Sequence, residues 1–205
     1  MNEPQIREVL ISVDIEASGP SPSTGSLISI GACLVDDPAV AIYIELKPLP
    51  ARPWDETAAR VHQLDRAHLE RDGLEPEAAM ARFETWIAEA SDGSRPVFVG
   101  FNAPFDWMFV ADYFWQYIGR NPFGVSALDL KSYYMAVEEV EHWEETRRAF
   151  IDERLGLAPD HSHQALEDAR GQAVLARLLI ARRRTDGEKP SSPSHDDGQS
   201  LGDGP

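Results

Sequence analysis

The chain has 205 residues, of which 42% are hydrophobic and 26% charged, and its formal net charge is -16. We expect neither a membrane span nor a secretory signal, because no apolar run approaches the roughly 20 residues of a spanning helix and the N-terminus lacks a basic cluster. The acidic balance argues against a protein that binds phosphate backbones broadly, since that affinity comes from clustered Lys and Arg.

The first part of the chain predicts a β-meander. Runs of apolar and β-branched residues indicate strands at 8–16, 27–35 and 39–46. Because the connections between them are short, we expect neighbouring strands to be antiparallel. Residues 48–75 contain several prolines and are predicted to be irregular. The single cysteine, Cys33, cannot form an internal disulfide, which predicts a reducing, cytoplasmic compartment.

Helices and short strands alternate in the rest of the chain. The predicted elements are an amphipathic helix after Pro76, a buried strand at 97–101, a helical segment at 105–118, a short strand at 126–130, a largely helical stretch at 131–155 and a long helix at about 164–184. The acidic run 138–145 is predicted to be a solvated helix face. Together these elements indicate one α/β domain with a mixed sheet.

The segment 185–205 has a different composition. Leu201 is its only large apolar residue, and it contains five acidic residues against one lysine. Such a segment buries too little apolar surface to offset the entropy lost on ordering. We therefore predict a folded domain at 1–184 and a disordered acidic tail at 185–205.

The first of three patterns that carry chemistry is Asp14-Ile15-Glu16, at the end of the first predicted strand. Side chains alternate along a strand, so both carboxylates point to the same face. Two carboxylates at the end of an apolar strand repel each other unless a cation neutralises them. The pattern is therefore either a metal-binding pair or a pair of solvated acids.

The second pattern runs from Asn102 to Asp106, directly after the apolar strand at 97–101. Open α/β sheets place their ligand sites at such strand ends. We expect Asp106 in the first turn of the next helix, where an anion is favoured. Asn102 is a candidate cap of that helix, which would be a purely structural role.

The third pattern runs from His163 to Asp168, at the start of the last long helix. His163 is expected at or just before the helix, and Asp168 about one turn into it. Both side chains can then face one cleft. Taken separately, each residue is better explained by a structural role, as a histidine at a helix start or as a solvated aspartate.

Together, and in this order, the three patterns resemble the DEDD superfamily of 3′-to-5′ exonucleases, in its histidine-containing subgroup. Segments 13–16, 100–106 and 163–169 match its three motifs, and weaker similarity covers 61–64 and 127–130. The resemblance implies a ribonuclease H-like fold, in which helices flank a central mixed sheet.

The resemblance also implies the composition of the active site. Asp14, Glu16, Asp106 and Asp168 would bind two divalent ions, and His163 would be the general base. Carboxylate oxygens suit Mg²⁺ or Mn²⁺ and not zinc. A histidine whose pKa lies near its unperturbed value of about 6.5 can accept a proton from water near neutral pH.

The implied reaction removes nucleoside 5′-monophosphates from the 3′ end of single-stranded DNA or RNA. The terminal nucleotide would contact Ala17, Ser18, Phe101 and Asn102. Ala17 stands where a threonine is common and Phe101 where many members have histidine, so the sugar preference stays open. Candidates for phosphate contact are Arg120, Lys131, Arg147, Arg148 and Arg170. Some relatives form homodimers, but no interface is identifiable in this sequence.

Two alternatives use the same residues. One is a catalytically silent nucleic-acid-binding module on the same fold, and the other is a different two-metal phosphohydrolase. The presence of all five expected side chains favours the exonuclease over the silent module.

Overall fold

One mixed five-stranded sheet forms the centre of the computed structural model, which describes residues 7–157 and 164–187. The strands are β1 Glu8–Ala17, β2 Leu27–Leu34, β3 Ala41–Glu45, β4 Arg95–Gly100 and β5 Ala127–Asp129. Their order in space is β3-β2-β1-β4-β5. The first three pair antiparallel, while β4 is parallel to both β1 and β5. The predicted meander and mixed sheet are therefore confirmed.

Helices follow the first three strands and then alternate with the last two. Within the described ranges they are α1 Glu56–His62, α2 Arg66–Asp72, α3 Pro76–Ser91, α4 Pro104–Tyr113, α5 Leu130–Val137, α6 Arg148–Leu155 and α7 Ala165–Gly187. A π-helical turn, Phe114–Ile118, continues α4, and a 3₁₀ turn, Trp143–Thr146, precedes α6. None of the described helices has the length and hydropathy that crossing a membrane requires.

The sheet divides the apolar core into two layers. On one face Val13 packs with Phe83 of α3 and Phe109 of α4. On the other face Val99 packs with the small residues of α7, among them Ala173. Side chains of β1 that do not enter the first layer therefore face α7.

Residues 48–75 were predicted to be irregular, and this prediction is wrong because the segment contains α1 and α2. Asp55 accepts a hydrogen bond from the backbone N–H of Thr57, and Asp65 accepts one from that of Ala67. Each aspartate thus caps the first turn of a seven-residue helix. Helices this short contain too few apolar residues to show a helical period.

The acidic run 138–145 breaks the predicted helical stretch. α5 ends at Val137, and Glu139 has φ 51°, in the left-handed region. The Glu138 carboxylate pairs with Arg182 of α7 at 2.8 Å and with Arg154 at 3.5 Å. The prediction of a helix face is wrong, since α5 ends before the run. The predicted solvation fails at Glu138, whose ion pairs leave it only 9% exposed, whereas Glu139, Glu141 and Glu144 are exposed.

The last helix agrees with its predicted apolar stripe, since Ala169, Ala173 and Ala176 are fully buried. It continues to Gly187, three residues beyond the predicted end at 184. Residues 188–205, which include most of the predicted tail, lie outside the described residues. The thiol of Cys33 is free and buried. The cytoplasmic location of the protein stays a prediction.

Candidate active site

Asp14 and Glu16 lie near the end of β1 on the face that α7 covers. Val13 and Ile15 alternate with them and belong to the opposite core layer. The chain therefore presents both carboxylates to one side, as the strand period predicts. Both side chains are partly buried, since the helix packs close to this end of the strand.

Gly31 permits this close packing. It pairs with Asp14 across β1 and β2. A β-carbon at Gly31 would lie 2.2 Å from the backbone carbonyl carbon of Ala165 and the backbone nitrogen of Leu166. The start of α7 therefore packs directly against the backbone of β2 at Gly31. This close approach brings the first turn of the helix to the position of Asp14.

The third motif joins the first at this contact. One carboxylate oxygen from each of Asp14, Glu16 and Asp168 lies within 4.8 Å of the others. Such a spacing allows one cation to contact all three side chains. The structure thus brings together three of the four acids that the sequence predicted to share a site.

The fourth acid, Asp106, reaches the cluster from the first turn of α4 and is 4% exposed. Its Oδ1 accepts a hydrogen bond of 3.1 Å from the backbone N–H of Ile15, the residue between the two acids of β1. The pairing of β1 with β4 ends at Ser12 and Val99. The N–H of Ile15 therefore has no partner on β4, and Asp106 accepts its hydrogen bond instead.

The electrostatics of the cluster disfavour four negative charges. Burial, followed by the charges of Asp168 and Asp106, raises the pKa of Glu16 to about 8. Burial also raises the pKa of Asp106 to about 8, against the opposing effect of its bond from Ile15. For Asp14, burial and then the neighbouring acids raise the pKa well above its usual range.

Three of these acids have no compensating cation among the described residues. Within 7–157 and 164–187, no Lys, Arg or His nitrogen lies within 4.0 Å of a carboxylate oxygen of Asp14, Glu16 or Asp106. Buried carboxylates without a counter-charge are costly unless protonated or bound to a metal. An all-oxygen donor set of this kind fits hard divalent cations such as Mg²⁺ and Mn²⁺.

Gln172 is a functional candidate that the sequence reasoning missed. It lies one turn after Asp168 on α7 and is 3% exposed. Its Nε2 donates a hydrogen bond of 2.6 Å to Oδ1 of Asp14, while its Oε1 accepts one of 3.1 Å from the backbone N–H of Phe101. The signal available in the sequence was an uncharged polar residue among the alanines of the apolar stripe.

Asp129 positions the loop of the second motif. Its Oδ1 accepts a hydrogen bond of 3.1 Å from the backbone N–H of Ala103, and its Oδ2 accepts one from that of Ser132. α4 begins at Pro104 and its cap position is Ala103, which makes no side-chain cap. The prediction that Asn102 caps this helix is therefore wrong: Asn102 is exposed and has φ 61°.

The other predicted substrate contacts differ in accessibility. Phe101 is partly exposed, and Ala17 is 6% exposed after a β-bulge at Glu16. Ser18 is buried. Its hydroxyl accepts a hydrogen bond from the backbone N–H of Ser26 and donates one to the carbonyl of Pro53. The Ser18 hydroxyl thus closes the loop after β1, and its contact with substrate stays a prediction.

A groove of about 490 Å³ lies beside the third motif. It is lined by Tyr43, Glu45, His62, Gln63, Leu64, Gln164, Leu166 and Glu167. The His62 ring is 3% exposed; its Nδ1 accepts a hydrogen bond from the backbone N–H of Leu64, and its Nε2 has no partner among the described residues. Segment 61–64, which showed weaker similarity in sequence, thus forms one wall of this groove.

His163, the predicted general base, lies outside the described residues. It precedes Ala165, the first residue of α7, by two positions. Its role therefore stays a prediction.

Comparisons with known proteins agree with these motifs. The model of the Exonuclease family matches residues 11–175. A curated relative, the 3′-5′ DNA exonuclease Cap18 of Escherichia coli, is 42% identical over 174 residues, covering 84% of this chain and 92% of that protein.

Solved structures share the fold. E. coli exonuclease I in complex with a dT13 oligonucleotide aligns with a TM-score of 0.68 and 17% identity, over 88% of this chain and 43% of that chain. This chain therefore spans less than half of exonuclease I. The nuclease domain of 3′hExo, a DEDDh family member bound to rAMP, aligns with a TM-score of 0.70 and 12% identity, over 87% and 94%. These neighbours confirm the ribonuclease H-like fold, and the family match and the curated relative show that the chain belongs to the exonuclease family.

Proposed function

We propose that this protein is a metal-dependent 3′-to-5′ exonuclease that removes nucleoside 5′-monophosphates from single-stranded ends. The observation that carries the proposal is the meeting of Asp14, Glu16 and Asp168 within 4.8 Å, with Asp106 joined to the same strand. Family membership supports the reaction class. The geometry favours catalysis over a silent binding module, because a module that only binds has no need for repelling buried acids.

We assign the metal-holding role to Asp14, Glu16, Asp106 and Asp168. Two divalent ions, Mg²⁺ or Mn²⁺, would supply an activated water and neutralise charge on the phosphoryl oxygens. Asp14 would be the central acid of this set, because the charges of all three other acids raise its pKa. Gln172 fixes the orientation of the Asp14 carboxylate through a single hydrogen bond.

His163 is assigned the role of general base, which accepts the proton of the attacking water. Its place in the sequence supports this role, because it lies five residues before Asp168. A histidine near its unperturbed pKa is half neutral close to pH 6.5 and mostly neutral above it. Proton acceptance of this kind contributes about 10²- to 10⁴-fold to rate.

The groove beside the third motif is the candidate site of the terminal nucleotide. It borders Glu167, next to the cluster residue Asp168, and its wall contains the half-exposed Leu64 and the ring of His62. Apolar and aromatic walls suit a nucleobase. Ala17 ends β1, the strand of Asp14 and Glu16, while Phe101 and Asn102 follow the end of β4, and the sugar would contact them there.

DNA is the substrate we infer first, because the curated relative is named as a 3′-5′ DNA exonuclease. The exonuclease I neighbour is bound to a single-stranded dT13 oligonucleotide. A single-stranded substrate also fits the acidic surface, since a few nucleotides need only local attraction. RNA enters the test as a second substrate.

The test uses DNA and RNA oligonucleotides labelled at the 3′ or the 5′ end, with Mg²⁺, Mn²⁺ or chelator. We expect metal-dependent release of labelled 3′-terminal mononucleotides and a ladder of shortened 5′-labelled products. Asp14→Asn should abolish both, while Asp36→Asn, an exposed aspartate after β2, should have no effect.

Three outcomes would overturn the proposal. Release of the 5′ label first, or unchanged activity in chelator, would contradict the mechanism. Binding of oligonucleotides without cleavage in any metal would favour the silent module instead.

A further inference from the structure

Two aromatic rings and two cations form a cluster beside the second motif. It consists of Phe101, Lys131, Trp143 and Arg148, and we call it the ring–cation cluster. The Nζ of Lys131 lies 4.4 Å from the ring centre of Trp143 and 6.0 Å from that of Phe101. The guanidinium carbon of Arg148 lies 5.6 Å from the Phe101 ring centre.

The cluster is joined to the carboxylate site through one side chain. Gln172 accepts a hydrogen bond from the backbone N–H of Phe101 and donates one to Asp14. The backbone of Phe101 therefore lies two hydrogen bonds from Asp14. A strand whose last nucleotide occupies the carboxylate site has its preceding nucleotides within reach of this surface.

Lys131 differs from the other cations that the sequence offered for phosphate contact. Those four pair with carboxylates at 2.6 to 2.8 Å: Arg120 with Glu84, Arg147 with Glu144, Arg148 with Asp152 and Arg170 with Glu167. Within the part of the chain that the structure describes, Lys131 has rings for neighbours and no carboxylate within ion-pair distance. Its three N–H donors therefore remain available to an anion.

Trp143 exposes a large ring on a fixed backbone. Its side chain is 53% exposed, although it opens the 3₁₀ turn that precedes α6. His142 and Glu145 form a capping box at the start of that turn, and the hydroxyl of the buried Thr146 donates to the Trp143 carbonyl at 2.6 Å. An exposed ring held in this way is a ready surface for a stacking base.

Charge complementarity identifies the occupant. The chain has a net charge of -16, so an unpaired ammonium between two rings is unusual on its surface. An anion that also carries flat aromatic groups satisfies the ammonium and the exposed ring at once. Single-stranded nucleic acid has both features at every nucleotide.

We propose that Lys131 and Trp143 bind the nucleotides that precede the 3′ terminus, Lys131 through a phosphate and Trp143 through a stacked base. This inference rests on the proposed function and adds the part of the substrate that the carboxylate site does not contact. Arg148 is the supporting cation, since its side chain is only 15% exposed and is bound to Asp152.

The test compares substrates that do and do not carry nucleotides before the 3′ terminus. The variants Trp143→Ala and Lys131→Ala are assayed on the p-nitrophenyl ester of thymidine 5′-monophosphate and on 20-nucleotide single strands of DNA and RNA. We expect KM for the DNA strand to rise about 5- to 30-fold, as the loss of one stacked base or one phosphate contact predicts. kcat/KM for the ester should stay within about twofold of the parent, because the ester lacks the further phosphate and base that would contact Lys131 and Trp143.

Matched controls separate this effect from general losses. Trp115 is 56% exposed and Lys47 is paired with Glu75, and both lie outside the cluster, so Trp115→Ala and Lys47→Ala should leave KM unchanged. Equal losses on ester and DNA, or no change on DNA, would overturn the inference. A rise confined to RNA would assign the surface to RNA instead.

Failure of the proposed function gives a different pattern. The parent protein would then hydrolyse none of the three substrates. Anisotropy of a labelled 20-nucleotide DNA strand, measured in chelator with parent and variants, then decides the inference alone. Binding that is weakened only in the two cluster variants would support it, and equal binding would contradict it.

Discussion

The side-chain amide of Gln172 donates a 2.6 Å hydrogen bond to Oδ1 of Asp14, 158 positions earlier in the chain. The same side chain accepts a hydrogen bond from the backbone of the second motif at Phe101. One glutamine thus connects all three motifs, since Asp168 lies one turn before it on α7.

Gln172→Leu is therefore expected to lower activity while the protein stays folded. The substitution frees the Asp14 carboxylate to rotate and leaves the Phe101 N–H without its acceptor. Losses of about 10- to 100-fold in metal affinity or kcat are typical when a partner of a metal ligand is removed. The measurement is kcat against Mn²⁺ concentration, with Gln116→Leu, an exposed glutamine, as control. A variant with parental metal dependence would contradict the assigned role.

The raised pKa values predict a pH-dependent stability of the metal-free protein. In the unfolded chain Asp106 and Glu16 ionise near their ordinary pKa values of 3.8 and 4.5, whereas in the folded chain both pKa values are about 8. Between these limits the folded state binds more protons, so the free energy of unfolding falls as pH rises. Melting in chelator from pH 5 to pH 8.5 measures this decline.

Asp106→Asn should reduce the decline, because an amide does not ionise and still accepts the hydrogen bond from Ile15. We expect this variant to be more stable than the parent in chelator at pH 8, by about 1 to 3 kcal/mol, although it is inactive. Asp112→Asn, at an exposed position of α4, is the control. Identical slopes in parent and Asp106→Asn would refute the assignment of the raised pKa to this group.

Added metal should reverse the pH effect. Carboxylates bind a divalent ion only when ionised, so Mn²⁺ should raise Tm more at pH 8 than at pH 5.5. At a concentration of 100 Kd the expected gain is about 2.7 kcal/mol per site. The gain should disappear in Asp168→Asn and persist in Asp36→Asn. A Tm that Mn²⁺ leaves unchanged in the parent would contradict the metal site.

His163→Ala should separate proton transfer from metal binding. We expect kcat to fall about 10²- to 10⁴-fold, as for the loss of a general base, while the stabilisation by Mn²⁺ stays. His161→Ala is a close control, because it removes an imidazole two positions earlier that lacks the five-residue step to an aspartate. Equal losses in the two variants would argue against a base at His163.

The sheet could be predicted because its strands are apolar runs bounded by turns, a signal that depends on neighbours in sequence. The short helices α1 and α2 were missed because the capping aspartates, Asp55 and Asp65, resemble ordinary loop residues until their partners are known. Directly after α5, Glu138 pairs with Arg182, which lies 44 positions away. Local periodicity carries no information about such a pair.

The candidate site likewise contains residues that could be predicted from the sequence and residues that could not. The acids could be predicted because each has a fixed spacing within its own motif. Gln172 was missed because its significance lies in Asp14 and Phe101, which belong to other elements. Similarity covered His62, but its place in the groove wall depends on other elements in the same way. The Asn102 cap failed because Asp129, 26 positions away, holds the Ala103 backbone instead.

Gly31 limits which substitutions this sequence can tolerate. Even a methyl side chain there would clash with the main chain of Ala165 and Leu166. A smaller residue at either neighbouring position would not relieve the clash, because the contact is with backbone atoms. Only a shift of the whole helix would accommodate it, and that shift carries Asp168 away from Asp14. Gly31 itself contacts no substrate and transfers no proton. A substitution there would nevertheless abolish activity, because it would separate Asp168 from Asp14.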